Sequence, residues 1–200
     1  MTFNKLSIGS VQWGNFYGIS NSYGQTDLNE VSKILTEARS KGVHIIDTAS
    51  SYGTAEDILG NHDLGFFSVV TKTPKFKNNI ITKLDADNLV FKFKQSLQRL
   101  NLNSCYGLLL HDKEDIFKNG NEYLIQALNE LKLKGLVKKI GVSIYDSDKI
   151  DLVVEKIIPD IIQLPLNVLD QRVIHDGTLD YLKSKNIEIH ARSVFLQGLL

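Results

Sequence analysis

Four residues carry the chemistry this sequence could do: Asp47, Tyr52, Lys72 and His111. Asp47 closes the apolar run Val43-His44-Ile45-Ile46, and Tyr52 follows five residues later in a turn rich in Gly, Ser and Thr. Lys72 closes a second run, Phe66-Phe67-Ser68-Val69-Val70-Thr71, and His111 closes a third, Leu108-Leu109-Leu110. A phenol titrates near 10 when unperturbed, too high to exchange a proton freely at neutral pH. A lysine ammonium a few ångströms away favours the phenolate and lowers that value. On this reading Asp47 holds Lys72 charged and in place, and Tyr52 is a general acid toward a carbonyl oxygen. His111 orients that oxygen through a hydrogen bond. Singly, each residue has a plainer reading: a cap, a surface lysine, a strand-end histidine, a half-buried tyrosine. Their order argues otherwise, because ionisable residues end three consecutive apolar strands.

The elements that must position them alternate along the chain. Residues 6–14 read as a strand running into a glycine turn. Asp27 with Glu30 three residues on resembles a capping box. Leu28, Val31, Ile34, Leu35 and Ala38 then recur at helical spacing, with Gly42 past the end. The strand to Asp47 and a short helix carrying Glu56, Ile58 and Leu59 follow. Residues 65–71 form a buried-type strand ending at Lys72, before Pro74. Leu89, Phe93, Leu97 and Leu100 share one helical face, and 106–110 is a strand ending at His111. A helix through Leu124, Ala127, Leu128 and Leu131 closes near Gly135. Residues 139–142 are a short strand ending at Ser143, 150–157 a helix, and 160–163 a strand with Pro165 beyond it. Residues 172–185 read as one helix and 187–191 as a last strand.

That makes seven strands with helical segments between them. Their near-continuous apolar runs suit parallel strands buried on both faces. Strict β-α alternation leaves a closed barrel or a doubly wound open sheet. No G-x-G-x-x-G or G-x-x-x-x-G-K-S/T follows the first strand, which weakens the nucleotide-binding open sheet. The expected fold class is α/β, a (β/α)8 TIM barrel incomplete here, in a single domain over 1–200. An eighth strand has no sequence to be made from, and such barrels usually run to about 250 residues. Either the chain is a fragment, which we favour, or the barrel is open and another surface closes it. Barrel enzymes place their chemistry where strands end, and neighbouring strands lie about 4.8 Å apart. The ends of strands two, three and four can therefore form one cluster, with Tyr52 folding back over it.

Composition narrows the classes. The 200 residues hold 23 Lys+Arg against 23 Asp+Glu, so no global field favours nucleic acid or an anionic membrane surface. A single cysteine, Cys105, precludes an internal disulfide framework and suits a reducing compartment. The N-terminus lacks a signal peptide's apolar core, and no apolar run approaches the roughly 18 residues of a membrane span. A cytoplasmic protein is expected. No metal site is expected, since His44, His62, His175 and His190 show no ligand spacing.

The sequence also resembles the aldo-keto reductase superfamily over essentially its whole length. The resemblance rests on Asp47-Thr48-Ala49, Tyr52-Gly53-Thr54-Ala55-Glu56 with Gly60, Lys72, Ser96-Leu97-Gln98-Arg99-Leu100 leading to His111, and 135–143. It implies reduction of an aldehyde or ketone with NADPH or NADH, with the tetrad Asp47, Tyr52, Lys72 and His111 and a small-molecule carbonyl substrate. It also implies that Ser143 and Gln163 hold the nicotinamide carboxamide, although Ile144 stands where the family usually has Asn. The segment 191–198 departs from the family's aromatic-Ser-Pro-Leu, and Arg192, Ser193, Phe195 and Gly198 fall on its cofactor-binding positions. Arg192 could stack on the nicotinamide in the aromatic's place, favouring the neutral reduced ring, or could be a salt-bridged structural arginine. Residues 192–200, with 11–14 and 165–170, resemble a bacterial branch associated with surface-sugar biosynthesis, which implies a sugar-like carbonyl. The family selects its cofactor through an eighth strand, so these 200 residues alone are expected to be weak or inactive. Unpaired strand edges invite self-association. A non-catalytic, cofactor-sensing or regulatory protein on the same scaffold is the competing expectation.

Overall fold

The computed structural model describes residues 5–200. Seven strands, β1 (Ser7–Gly9), β2 (Ile45–Asp47), β3 (Ser68–Lys72), β4 (Cys105–Leu110), β5 (Val137–Ser143), β6 (Ile161–Pro165) and β7 (Glu188–Arg192), form one sheet. Every neighbouring pair is parallel, and the strands lie in sequence order from β1 to β7. The sheet curls into part of an α/β barrel, as expected, and β7 does not pair with β1 among the described residues.

The helices are α1 (Val11–Gly14), α2 (Leu28–Ser40), α3 (Ala55–Gly60), α4 (Lys83–Arg99), α5 (Asn121–Leu133), α6 (Ile150–Ile157), α7 (Arg172–His175) and α8 (Thr178–Ser184). Three expectations need correcting. The run 6–14 is strand only to Gly9, after which α1 turns Trp13 into the core. The helix expected over 172–185 is two, because Gly177 takes φ 78° between them, a left-handed conformation that interrupts the helix. Asp27 does cap α2, but by accepting from the Asn29 N–H at 2.8 Å. The reciprocal capping box is at α4, between Thr82 and Asp85.

Side chains alternate across the strands, and that alternation divides the interior. Ile46, Val69, Leu108, Leu110, Ile140, Val142, Ile162 and Leu164 face the helices and pack with Leu59, Leu89, Phe93, Leu128 and Leu131. Burying one such leucine fully stabilises by about 1.5–3 kcal/mol. The concave face carries a small apolar floor of Val70, Leu109 and Ile161, with Ile45 and Tyr106 against it. Beside this floor Glu188 gathers a polar group. It accepts from the Tyr106 hydroxyl at 2.7 Å, pairs with Lys139, and lies 2.6 Å from His190 Nε2. Burial pushes the Glu188 carboxyl up, but Lys139, His190 and Tyr106 outweigh it and bring its pKa down to about 2. The next residues inward on β2, β3, β5 and β6 are Asp47, Lys72, Ser143 and Gln163, at the C-terminal rim.

Candidate active site

At that rim the strand ends converge as the sequence suggested. Lys72, 3% exposed, donates from Nζ to both Asp47 oxygens at 2.7 and 2.8 Å and to the Thr48 carbonyl at 2.9 Å. The same ammonium lies 5.1 Å from the centroid of the Tyr52 ring. Asp47, Tyr52 and Lys72 are therefore in one cluster. The expected lowering of the phenol pKa is not found. Burial first, and the Asp47 charge second, hold Tyr52 above its ordinary value, while Arg192 pulls weakly the other way. The hydrogen bonds of the Lys72 ammonium go to Asp47 and the Thr48 carbonyl, and its charge is matched by Asp47.

His111 stands beside this pair. Its backbone N–H donates to Thr73 Oγ1 at 3.3 Å, and its Nδ1 is buried without a hydrogen-bond partner. Burial first, then Lys72 and Lys75, bring its pKa down to about 4, so the ring is neutral at physiological pH. A neutral imidazole still has one N–H to give.

Two features fix Tyr52 over Lys72. The first is a backbone crossing at two glycines. A Cβ on Gly14 would lie 1.7 Å from the Tyr52 carbonyl oxygen, and one on Gly53 would lie 2.1 Å from the Gly14 carbonyl oxygen. Gly53 also takes φ 55°, a region that costs other residues strain. The second is Glu56, 1% exposed, on α3. It accepts from Thr71 Oγ1 at 2.7 Å and from Arg99 Nε and Nη2 at 3.0 and 2.6 Å. Thr71 adjoins Lys72, so this ion pair ties the helix after Tyr52 to the strand bearing the lysine. Gly60 admits the close approach of α4, since a Cβ there would lie 1.9 Å from the Arg99 carbonyl oxygen.

Next to the cluster, Ser143 Oγ donates to Gln163 Oε1 at 3.1 Å, and Gln163 Nε2 donates to Asp47 Oδ1 at 2.7 Å. Both residues are buried, and Ile144 beside them is packed into the helix-side core. Arg192 is not salt-bridged: no carboxylate among the described residues lies within 4 Å. Its guanidinium stacks on Tyr145 at 4.2 Å and donates to the Ile144 carbonyl at 2.8 Å. Beyond it, Ser193, Leu196 and Gln197 all take positive φ, Phe195 is exposed, and Gly198 packs against Ser20. The Ile19 N–H donates to the Gln197 carbonyl at 3.2 Å, so loops after β1 and β7 meet over the rim.

Residues 5–200 match the Aldo/keto reductase family. The chain belongs to the aldo/keto reductase family. It is 29% identical to Protein REDOX 2 of Catharanthus roseus, over 90% of this chain and 61% of that protein. It is 28% identical to Rhazimal reductase 2 of Alstonia scholaris, over 84% of this chain and 58% of that protein. It thus spans about 60% of the length of these curated relatives. The holo form of aldo-keto reductase AKR11C1 from Bacillus halodurans shares the fold, with TM-score 0.77 and 20% identity over 98% of this chain and 64% of that one.

Within this aldo/keto reductase rim, sequence reasoning missed several residues. Gln163 was expected to face a cofactor carboxamide alone, yet it also binds Asp47, a contact between residues 116 apart in the chain. Tyr145, Lys75 and Thr73 were not singled out. Each lies within three residues of a recognised strand end, which is the signal that could have found them.

Proposed function

We propose that this protein reduces an aldehyde or ketone to an alcohol with NADPH or NADH, using Tyr52 as general acid. A reduced nicotinamide, when bound, supplies the hydride that the carbonyl carbon accepts. The residues fit such a group in part. Ser143 and Gln163 are buried polar side chains on adjacent strand ends, suited to a carboxamide. Ile144 offers no side-chain donor. One face of Arg192 is occupied by Tyr145, so its other face is the one open to a ring. Ser193, Phe195 and Gly198, in the loop after β7, would help to hold the rest of the cofactor; Ser193, Leu196 and Gln197 there take positive φ, the kind of local strain common at binding loops.

In the reaction the Tyr52 O–H bond breaks, its proton passes to the carbonyl oxygen, and solvent returns a proton to the phenolate. The raised pKa keeps Tyr52 protonated in the resting site, so the proton is present to be given, and its transfer relies on the charge that develops on the carbonyl oxygen as hydride arrives. His111 donates its N–H to the same oxygen and, being neutral, does not compete as the acid. Asp47 and Gln163 keep Lys72 fixed beneath the phenol ring. The observation that carries this reading is the Asp47–Lys72 pair held at 2.7 and 2.8 Å under the Tyr52 ring, with a neutral His111 alongside.

Cofactor retention by the 200 residues alone is expected to be weak, since among the described residues β7 does not pair with β1. The assay is therefore reduction of a reactive aldehyde at millimolar NADPH. Tyr52→Phe should cut turnover by about 10² or more, the low end of general acid catalysis, with NADPH fluorescence binding unchanged. Turnover of the variant close to that of the parent would sink the role of Tyr52. A parent that binds NADPH and reduces no carbonyl would shift the reading to cofactor sensing.

A further inference from the structure

The rim of the site has a charge imbalance that the proposed proton transfer leaves unused. Tyr145, just past β5, is 51% exposed and is flanked by two cations. Arg192 Cζ, from the end of β7, lies 4.2 Å from its ring centroid, and Lys75 Nζ, from the loop after β3, lies 5.5 Å from it. Neither cation has a carboxylate within 4 Å among the described residues, whereas the acids nearby are committed. Asp47 is held by Lys72 and Gln163, Asp146 by Lys113, and Asp115 by Lys118. Asp112 accepts from the Glu114 N–H as a helix cap.

Arg192 also has donors to spare. Its Nη2 meets the Ile144 carbonyl, its Nη1 reaches only Ser193 Oγ at 3.4 Å, and its Nε is buried with no acceptor. An unpaired buried donor is destabilising, and an arriving acceptor relieves it. Lys75 follows β3, the strand that carries Lys72, Tyr145 follows β5, and Arg192 ends β7, so both groups lie at the C-terminal rim of one sheet.

We propose that Lys75 and Arg192, set either side of Tyr145, form a subsite for an anionic group on the substrate, making the preferred carbonyl compound a carboxylate or phosphate. A guanidinium takes a carboxylate or phosphate through paired N–H bonds, and an ammonium adds a point charge without demanding geometry. The exposed ring between them gives the connecting carbon skeleton a flat surface. This inference rests on the reductase reading for turnover, but binding tests it separately.

The experiment titrates the full chain with 4-carboxybenzaldehyde and with its methyl ester by calorimetry, repeats this for Lys75→Met and Arg192→Met, and follows NADPH binding by fluorescence. Circular dichroism checks that both variants are folded. The acid is expected to bind about tenfold more tightly than the ester, with the advantage weakened by salt. Lys75→Met should cut that preference about threefold, as for a partly exposed ion pair, and Arg192→Met should remove most of it. Equal binding of acid and ester by the parent overturns the proposal. So does an Arg192→Met variant that loses NADPH affinity while keeping the acid preference, for then the guanidinium serves the cofactor and not the substrate. Preferred binding of the acid with neither aldehyde reduced upholds the anion subsite and counts against the reductase reading instead.

Discussion

Replacing Glu56 by alanine should show how firmly Tyr52 and Lys72 are held to one another. The carboxylate is nearly inaccessible and takes three hydrogen bonds, from Thr71 on β3 and from two nitrogens of Arg99 on α4. Its loss leaves the Thr71 hydroxyl, itself fully buried, without an acceptor, at about 1–3 kcal/mol. Breaking a fully buried ion pair costs about 3–5 kcal/mol. Arg99 keeps 29% of its side chain exposed and a bond to Ser96 Oγ at 3.1 Å, so water and Ser96 recover part of its share. A combined loss of about 3 kcal/mol results, a large part of the roughly 5–15 kcal/mol that holds a domain together. In urea, with a slope of about 2 kcal/mol/M, the midpoint should fall by about 1.5 M. Trp13, the single tryptophan and buried at α1, reports the transition by fluorescence. Glu56→Gln keeps the shape and should lose less. A double-mutant cycle with Arg99→Ala should give a coupling of at least about 1 kcal/mol. A Glu56→Ala loss well below 1 kcal/mol, or no coupling to Arg99, would refute the reasoning.

Gly14→Ala should damage turnover as well as stability. Its Cβ meets backbone atoms of Tyr52 and Ala55 at 1.7 and 2.5 Å, so the loop bearing the phenol must shift, and a shift of about 1 Å in a reacting group costs about 10² in rate. Normal kcat in a folded variant would show that the crossing does not set the tyrosine. The His111 prediction concerns acid stability. Its folded pKa of about 4 lies below the 6.5 of the free side chain, so the unfolded chain binds the proton first. Stability present above about 6.5 is then lost as pH falls toward about 4. Urea midpoints measured across that window should flatten in His111→Asn; an unchanged slope would assign the proton uptake elsewhere. Glu188, brought down from 4.5 to about 2, adds its own loss of stability below about 5, so the comparison is read between about 6.5 and 5.

Much of the site was legible because buried parallel strands write themselves as uninterrupted apolar runs, and their ends are where charge first appears. Asp47, Lys72 and His111 could be placed on that ground alone, and Ser143 and Gln163 followed the same rule. What was not legible depends on distance through the fold. The Tyr52 pKa follows from burial and from the charge of Asp47 across the turn, neither of which spacing encodes. Val11-Gln12-Trp13-Gly14 looks as much like strand as helix until Trp13 finds the core. Gly177 looks tolerable within a helix until its backbone turns left-handed. The misplaced capping box has the same cause, since Asp27 with Glu30 satisfies the pattern and only geometry shows that Asp27 reaches Asn29 instead. The family motif around Glu56, Gly60 and Arg99 was recognisable as a string, but its reason is an ion pair and a close helix approach.

The sequence order of the strands bears on how this molecule is made. Among the described residues each strand pairs only with those immediately before and after it in the chain, so none of them waits for a distant partner. A ribosome releases residues at about 5–20 per second, and folding of the N-terminal part begins first. β1 and β2 can join once α2 has emerged, and every later strand with its helix adds to an edge already built. The Asp47–Lys72 bond can therefore form as soon as β3 docks, before β5 to β7 are synthesised. The proton-delivery end of the site is then the older half of the molecule in every folding event, and the rim cations Tyr145 brings together are assembled last, when Arg192 arrives.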